Sequence, residues 1–108
     1  MNPYYDADKL GLEMVTFSEP DLCYEFNDLC FWKKEGVVYS GSSSGCSCPT
    51  PFEEYEGESL KEILPLLERV PTLKKAKETI KSWSRESSNR KSFYDHNWST
   101  EIEQWWPK

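Results

Sequence analysis

Two strand-forming segments separated by a short turn constrain the fold more than any other feature of the sequence. Residues 29–33 and 37–40 are rich in aromatic and β-branched side chains, which favour β-strands. The three residues between them, 34–36, end in a glycine, which readily adopts the positive φ that a tight turn requires. The sequence therefore predicts a central β-hairpin in which Phe31 lies opposite Tyr39.

Two amphipathic helices are predicted after the hairpin. Ser59 and Glu62 have the spacing of a capping box, which marks a helix start, and Pro65 should kink or split the helix that follows. A second helix should begin after Pro71 and end near residue 87. The apolar residues at helical spacing are Leu60, Ile63, Leu64, Leu67 and Val70 in the first helix and Leu73, Ala76, Ile80 and Trp83 in the second.

The order of these elements predicts an α+β architecture. A short strand is also expected at residues 12–17, so the strands precede the helices and do not alternate with them. We expect a small antiparallel sheet of about three strands with two helices packed on one face. Residues 4–11 are expected to be a loose lead-in, and segment 41–53, which is rich in Gly, Ser and Pro, is expected to be a loop.

The length of the chain sets the number of domains. With 108 residues, the chain fits a single domain that spans residues 1–108. Within it we distinguish a β-rich part at 12–56, a helical part at 59–87 and an aromatic C-terminal segment at 93–108. Aromatic residues make up 15% of the chain, and they supply the apolar area that a folded core requires.

The net charge limits the classes of partner. The chain carries a formal net charge of −6, which disfavours direct binding to nucleic acid or to an anionic membrane. The first 73 residues hold 14 acidic and 5 basic side chains, whereas residues 74–94 hold 2 acidic and 7 basic ones. No stretch approaches the ~20 apolar residues of a membrane span, and the N-terminus lacks the features of a signal peptide, so we expect a cytoplasmic protein.

Four cysteines suggest a metal or thiol site as an alternative function. The spacers between Cys23, Cys30, Cys46 and Cys48 differ from the paired spacing of zinc sites, so we expect no metal and no other cofactor. The alternative is a zinc-binding or thiol module that uses Cys46 and Cys48. An enzyme with Cys48 as nucleophile and His96 as base is not expected, because nothing in the spacing selects this pair.

A decapeptide that contains two of these cysteines resembles a known signature. Residues 44–53 read Ser-Gly-Cys-Ser-Cys-Pro-Thr-Pro-Phe-Glu, which is similar to the Ser-Gly-Cys-Ser-Cys-Pro-x-Pro-Phe-Glu signature of small uncharacterised proteins from bacteriophages that infect actinobacteria. The resemblance implies a phage origin and a location in the host cytoplasm, and it carries over no activity. We expect the backbone at Gly45 to disfavour larger residues. The residues expected to form this structural loop are Gly45, Cys46, Cys48 and Pro49.

The aromatic residues near the C-terminus favour a binding function. Small acidic phage proteins commonly bind a host protein, and aromatic residues are enriched at binding hot spots. We therefore predict a protein that binds and modulates or inhibits a host protein, as in host takeover or anti-defence, with a second copy of itself as another partner. Adjacent residues cannot both face one core, so Trp105 or Trp106 should be partly exposed. Phe52 and Tyr55 are the second candidate pair for the binding surface.

The acidic side chains offer a further alternative, an inhibitor that mimics DNA. Such a mimic requires carboxylates in paired rows, and the candidates are Glu53, Glu54, Glu56, Glu58, Glu62 and Glu68. Glutamates at the start of a capped helix are also the ordinary case, because they interact favourably with the helix dipole. Binding to a host protein therefore stays the leading prediction.

Overall fold

A four-stranded antiparallel sheet with helices forms the architecture of this chain. The computed structural model describes residues 1–19, 25–46, 51–85 and 98–107. The strands are β1 (Glu13–Ser18), β2 (Glu25–Lys34), β3 (Val37–Cys46) and β4 (Glu68–Val70), and they are arranged in that order. The helices are α1 (Leu60–Ile63), α2 (Leu73–Arg85) and α3 (Trp98–Trp105), with short 3-10 turns at Glu53–Tyr55 and Leu64–Leu66. The predicted α+β class is confirmed.

The central hairpin is confirmed, but its register differs by one position from the prediction. Lys34 pairs with Val37, so the turn consists of two residues and not three, and Trp32 lies opposite Tyr39. The two turn residues have φ values of 53° and 80°, as in the type I′ turn whose twist matches that of the flanking strands. The glycine was a sufficient signal for a turn, but not for its length.

Strand β3 continues through the glycine- and serine-rich segment as far as Cys46, so the expected loop from residue 41 is wrong. A small residue is needed at position 41 because two large rings lie over it. A Cβ atom at Gly41 would lie 3.2 Å from Cζ of Tyr55 and 3.3 Å from Cζ3 of Trp32. Two positions further along, the buried Ser43 hydroxyl accepts a hydrogen bond from the backbone nitrogen of Phe52 at 3.1 Å. Packing against the sheet therefore overrides the loop-forming composition.

The fourth strand was not predicted. Helix α1 begins at Leu60, as expected, and it ends before the 3-10 turn that contains Pro65, which confirms the predicted split. Beyond Leu67 the chain becomes extended, and Val70, which was assigned to the first helix, pairs with Val38. The sheet therefore has four strands and not about three, because β3 offered an open edge to this segment.

One face of the sheet is covered by helices α2 and α3, which we call the helical layer. The two helices contact each other, and α3 also contacts β1. Among the described helices, none is long and apolar enough to cross a membrane. The buried residues of this layer and of the sheet beneath it are Phe17, Leu29, Phe31, Val38, Val70, Ala76, Ile80, Trp83, Trp98 and Ile102.

The opposite face is covered by residues 1–12 and 51–67, which we call the N-terminal layer. Residues 4–11 are therefore not a loose lead-in, since their apolar side chains are part of a core. The buried residues of this core are Ala7, Leu10, Leu12, Cys30, Trp32, Phe52, Ile63 and Leu67.

The prediction that both helices pack on one face is wrong. Helix α1 lies in the N-terminal layer through Ile63, whereas α2 lies in the helical layer through Ala76 and Ile80. The physical reason is β4, which pairs at the edge of the sheet and carries the chain from one face to the other. A third helix, α3, takes the place beside α2. The predicted end of the second helix near residue 87 lies outside the described residues.

A carboxylate is buried within this sheet. Asp28 is 8% exposed and lies opposite Ser18 of β1. Burial is the largest influence on its pKa and raises it, while a hydrogen bond from the Ser18 side chain lowers it in part. The charged form of Asp28 is therefore less favourable in the folded chain than in the unfolded chain.

We expect Ile80→Ala to lower the free energy of unfolding by about 2–5 kcal/mol, because the side chain is 6% exposed and truncation leaves a cavity. Urea denaturation measures this loss. Lys81→Ala changes an exposed neighbour in the same helix and should shift the value by less than about 0.5 kcal/mol. A loss below about 1 kcal/mol for Ile80→Ala would contradict its place in the core.

Gly41→Ala should destabilise the fold by about 1–3 kcal/mol, the usual cost of overpacking. The added methyl group meets Tyr55 and Trp32, and the fully buried Trp32 has no room to withdraw. Thermal unfolding of this variant is compared with that of Ser44→Ala, an exposed position in the same strand. If both variants unfold at the same temperature, the rings of Tyr55 and Trp32 do not pack closely against Gly41.

Asp28→Asn should stabilise the protein at neutral pH. Because the pKa of Asp28 is raised on folding, the folded state binds the proton more tightly, and stability falls as pH rises through the folded-state pKa. The stabilisation by Asn should shrink as pH falls toward 3.8, the ordinary value. Urea midpoints at pH 7 and pH 4 test this. A variant less stable than the parent chain at pH 7 would show that the charged carboxylate is stabilised by folding.

Candidate partner-binding surface

Phe52, one of the four aromatic residues predicted to bind a partner, lies in the core. Its side chain is 0% exposed, stacks on Tyr4 with 5.3 Å between ring centroids, and meets the edge of Trp32 at 5.7 Å. Its φ of 63° is in the left-handed region, which is unfavourable for an aromatic residue. The buried ring contacts offset this cost. Phe52 therefore holds the N-terminal layer on the sheet, and its assignment to an exposed binding surface is wrong.

Tyr55 is half-buried and anchored to strand β3. Its hydroxyl donates to the backbone oxygen of Ser42 at 3.0 Å and accepts from the backbone nitrogen of the same residue at 3.3 Å. Burial is the largest effect on the pKa of Tyr55 and raises it, so the hydroxyl keeps the proton that it donates. This residue has a structural role in the N-terminal layer.

Trp105 and Trp106 are both half-buried, so the prediction that at least one is partly exposed is confirmed. Trp106 packs against the helical layer. Its backbone nitrogen donates a hydrogen bond to the backbone oxygen of Ile102 at 2.9 Å. Trp105 ends helix α3 above strand β2, where the Lys33 ammonium lies 4.5 Å from the centre of the indole ring. The same ammonium donates to the backbone oxygen of Trp105, which holds the ring in place.

Trp105 forms one side of a groove that runs beside strand β1, which we call the β1 groove. Its volume is about 560 Å³. The opposite side comes from the N-terminal layer, so the two layers flank the same edge of the sheet. The side chains that determine its chemistry are Tyr4, Tyr5, Asp8, Glu13, Met14 and Trp105.

A buried asparagine fixes the N-terminal side of the groove. Asn2 is 5% exposed, and its side-chain oxygen accepts from the backbone nitrogens of Tyr4 at 2.7 Å and Tyr5 at 3.2 Å. Its side-chain nitrogen donates to the backbone oxygen of Pro51 at 2.9 Å. Each buried polar atom of Asn2 therefore has a partner, and the backbone that carries the two tyrosines is joined to the rest of the N-terminal layer.

The two tyrosines have different environments. The Tyr4 ring is packed between the rings of Phe52 and Tyr5, and burial is the largest effect that raises its pKa. Tyr5 is 63% exposed and meets Tyr4 edge-on, with 5.1 Å between centroids. Tyr4 therefore supports the groove, and Tyr5 presents most of its ring to whatever enters.

The charged side chains that line the β1 groove are acidic in the described part of the chain. They are the carboxylates of Asp8 and Glu13, and none of the described lysines or arginines lines the groove. Lys33 forms an ion pair with Glu13 at 3.4 Å, but it lies against the Trp105 ring and its side chain is only 19% exposed. Aromatic faces and carboxylates both attract cations. The lining therefore suits a partner that presents a lysine or arginine side chain.

Cys30 is a buried thiol beneath the N-terminal layer. Its side chain is 0% exposed, and its sulfur lies 3.2 Å from the Thr16 hydroxyl. Burial, the largest effect, raises the pKa of the thiol to about 12, whereas a nucleophile or metal ligand must be the thiolate. Cys30 pairs with Gly41 and Cys46 pairs with Glu25, so the two cysteines are about 17 Å apart along the strands, too far for a disulfide or a shared ion.

Of the residues predicted to form the structural loop, the structure describes only Gly45 and Cys46. Gly45 lies within strand β3 opposite Phe26, and its backbone is extended and not in the left-handed region, so the expected backbone restriction at Gly45 is wrong. Cys46 ends the same strand. Cys23, Cys48, Pro49 and His96 lie outside the described residues. Within the part of the chain that is described, no group of three or more His, Cys, Asp or Glu side chains is placed to hold a metal ion.

Sequence reasoning identified Trp105 and missed the other side of the groove. Tyr4 and Tyr5 were assigned to a loose lead-in, and no periodicity linked them to β1. The available signal was Asn2 followed by proline and two tyrosines, because asparagine side chains accept hydrogen bonds from the backbone nearby and fix turns. Asp8 and Glu13 lacked any distinguishing pattern.

Comparison with known proteins places the chain in a family. It belongs to the family described as "Domain of unknown function (DUF7574)", which matches residues 1–104. No curated protein matches the chain. No solved structure matches it either.

Proposed function

We propose that this member of the DUF7574 family is a phage-type protein that binds a host protein through the β1 groove, and that binding modulates or inhibits that protein. The observation that carries the proposal is the arrangement of Tyr4, Tyr5 and Trp105 around one edge of the sheet. Aromatic and arginine contacts dominate the energy of most protein interfaces, and a groove with rigid aromatic sides loses little entropy on binding.

The exposure of Tyr5 supports this proposal. Only three large hydrophobic side chains are highly exposed among the described residues, and Tyr5 is the most exposed at 63%. Tyr5 has a wide apolar ring with a polar tip, a combination that is enriched at interfaces. The backbone nitrogen of Tyr5 donates a hydrogen bond to the side-chain oxygen of Asn2, which holds the Tyr5 backbone in place before any partner arrives.

The charge of the chain supports a basic partner surface. The net charge of −6 attracts a positively charged patch over a distance of about 8–10 Å at physiological ionic strength. The carboxylates of Asp8 and Glu13 then lie at the point of contact. Association should therefore be fast at low salt and weaken as salt rises.

The phage origin and the host cytoplasm are part of the proposal. They rest on the resemblance of residues 44–53 to the phage signature, whose Phe52 side chain here closes the N-terminal layer. A phage protein that acts on a host protein must meet it inside the host cell. An actinobacterial lysate is therefore the appropriate source of the partner.

The test compares Tyr5→Ala and Trp105→Ala with Leu66→Ala. Leu66 is 48% exposed and does not line the groove, so it controls for the loss of any exposed apolar side chain. A protein captured from the lysate is purified, and its affinity for each variant is measured by calorimetry. We expect Tyr5→Ala and Trp105→Ala to weaken binding about tenfold or more, with Leu66→Ala unchanged and all variants folded by circular dichroism.

Two results would contradict the proposal. If Tyr5→Ala and Trp105→Ala bind as tightly as the parent chain, the partner uses another surface. If affinity does not fall between 50 mM and 500 mM salt, the acidic side chains of the groove take no part in recognition.

A further inference from the structure

Strand β1 lies at one edge of the sheet that the described residues form, and the pattern of its hydrogen bonds shows which of its backbone groups point away from that sheet. In an antiparallel pair, directly opposed residues alternate between those that exchange hydrogen bonds and those that do not. The backbone nitrogen of Glu19 donates a hydrogen bond to the backbone oxygen of Asn27 at 2.9 Å. These two residues continue the register of β1 and β2, in which Phe17 lies opposite Leu29. Glu19 and Asn27 are therefore a hydrogen-bonded pair.

The alternation identifies the outward-facing groups. Counting back from Glu19, the residues of β1 that bond to β2 are Phe17, Val15 and Glu13. The intervening residues are Met14, Thr16 and Ser18. Their backbone N–H and C=O groups point away from β2, toward the outside of the sheet. In the described part of the chain, no hydrogen bond from another segment reaches these outward groups. Strand β1 therefore offers three backbone donors and three acceptors in a row.

The side chains of β1 do not protect this edge. Natural edge strands are commonly blocked by proline, by lysine or by inward-pointing charges. The four central residues of β1 read Met-Val-Thr-Phe, a segment with high strand propensity and no charge. The edge is six residues long, or about 20 Å, which is enough to pair with an extended segment of ordinary strand length.

We infer that the partner enters the β1 groove as an extended basic segment and pairs with β1 as a fifth strand of the sheet. This inference rests on the proposed function and states how the same surface binds. Strand addition supplies affinity through main-chain hydrogen bonds, and pockets beside the edge select the side chains. Met14 has outward backbone groups and also lines the groove, so the paired strand lies directly beside Tyr5 and Trp105.

The charge of the groove determines the kind of segment. Alternate side chains of an added strand point to the two faces of the sheet, one set toward Tyr4 and Tyr5 and the other toward Trp105. A lysine or arginine on the side of Tyr4 and Tyr5 meets an aromatic face and the carboxylate of Asp8. On the side of Trp105, where Lys33 already lies over the indole ring, it meets the exposed carboxylate of Glu13. A second copy of this chain fits less well, because pairing of two β1 edges brings two acidic grooves together.

Backbone amide exchange measured by NMR tests the inference on the intact protein. The probe is a nine-residue peptide in which arginine and valine alternate. One control peptide carries N-methyl groups at alternate backbone nitrogens on the pairing edge, and another has glutamate in place of arginine. In the free protein the amides of Met14, Thr16 and Ser18 should exchange faster than those of Val15 and Phe17. The arginine peptide should slow exchange of the Met14, Thr16 and Ser18 amides at least tenfold. The N-methylated peptide and the glutamate peptide should leave their exchange rates unchanged.

The outcomes separate the inference from the proposed function. If the arginine peptide binds and shifts the Tyr5 and Trp105 signals, but the three outward amides keep exchanging as before, strand addition is wrong and the groove binds side chains only. Equal protection by the N-methylated peptide leads to the same conclusion. If the glutamate peptide protects the amides equally, the basic specificity is wrong. If the arginine peptide shows no saturable binding, the inference and the groove as a binding surface both fail.

Discussion

The burial of strand β2 on both faces is the constraint on which the rest of the structure depends. Phe31 and Trp32 are adjacent and both 0% exposed, and neighbouring side chains of a strand point to opposite faces. Each therefore requires its own covering layer. The helical layer covers Phe31, and the N-terminal layer covers Trp32, whose indole N–H donates to the backbone oxygen of Pro3 at 2.9 Å. If the N-terminal segment detached, this buried donor would lose its partner, which is costly.

The two layers also account for the unusual strand β3 and for the groove. Tyr55 can lie over β3 because Gly41 has no side chain, and the backbone of Phe52 is held there by its hydrogen bond to the Ser43 hydroxyl. At the other edge of the sheet, both layers end beside β1. Tyr5 and Trp105 come from opposite ends of the chain, yet they flank the same edge. The candidate site is thus a consequence of covering the sheet on both sides, and needs no separate structural element.

Local patterns predicted the elements whose signals are local. The hairpin, the strand near residues 12–17, the apolar stripe of α2 and the split at Pro65 all follow from neighbouring residues, and each is present. The hairpin register was wrong because a glycine is compatible with turns of more than one length. Phe52 was placed on the surface because nothing nearby in the sequence indicates that Tyr4 and Trp32 enclose it. Of the residues that line the groove, only Trp105 was named from the sequence as a binding candidate, because it lies in an aromatic-rich segment whereas Tyr5 was assigned to the lead-in.

The sequence by itself determined the α+β class, the central hairpin, the second helix and the acidic surface, because these depend on residues a few positions apart and on total charge. The tertiary structure alone decided that α1 and α2 cover opposite faces, that a glycine- and serine-rich segment forms a strand, and that β1 lies at the edge of the described sheet with outward backbone groups. Each of these depends on contacts between distant segments, where packing and backbone pairing outweigh the local propensity of the chain.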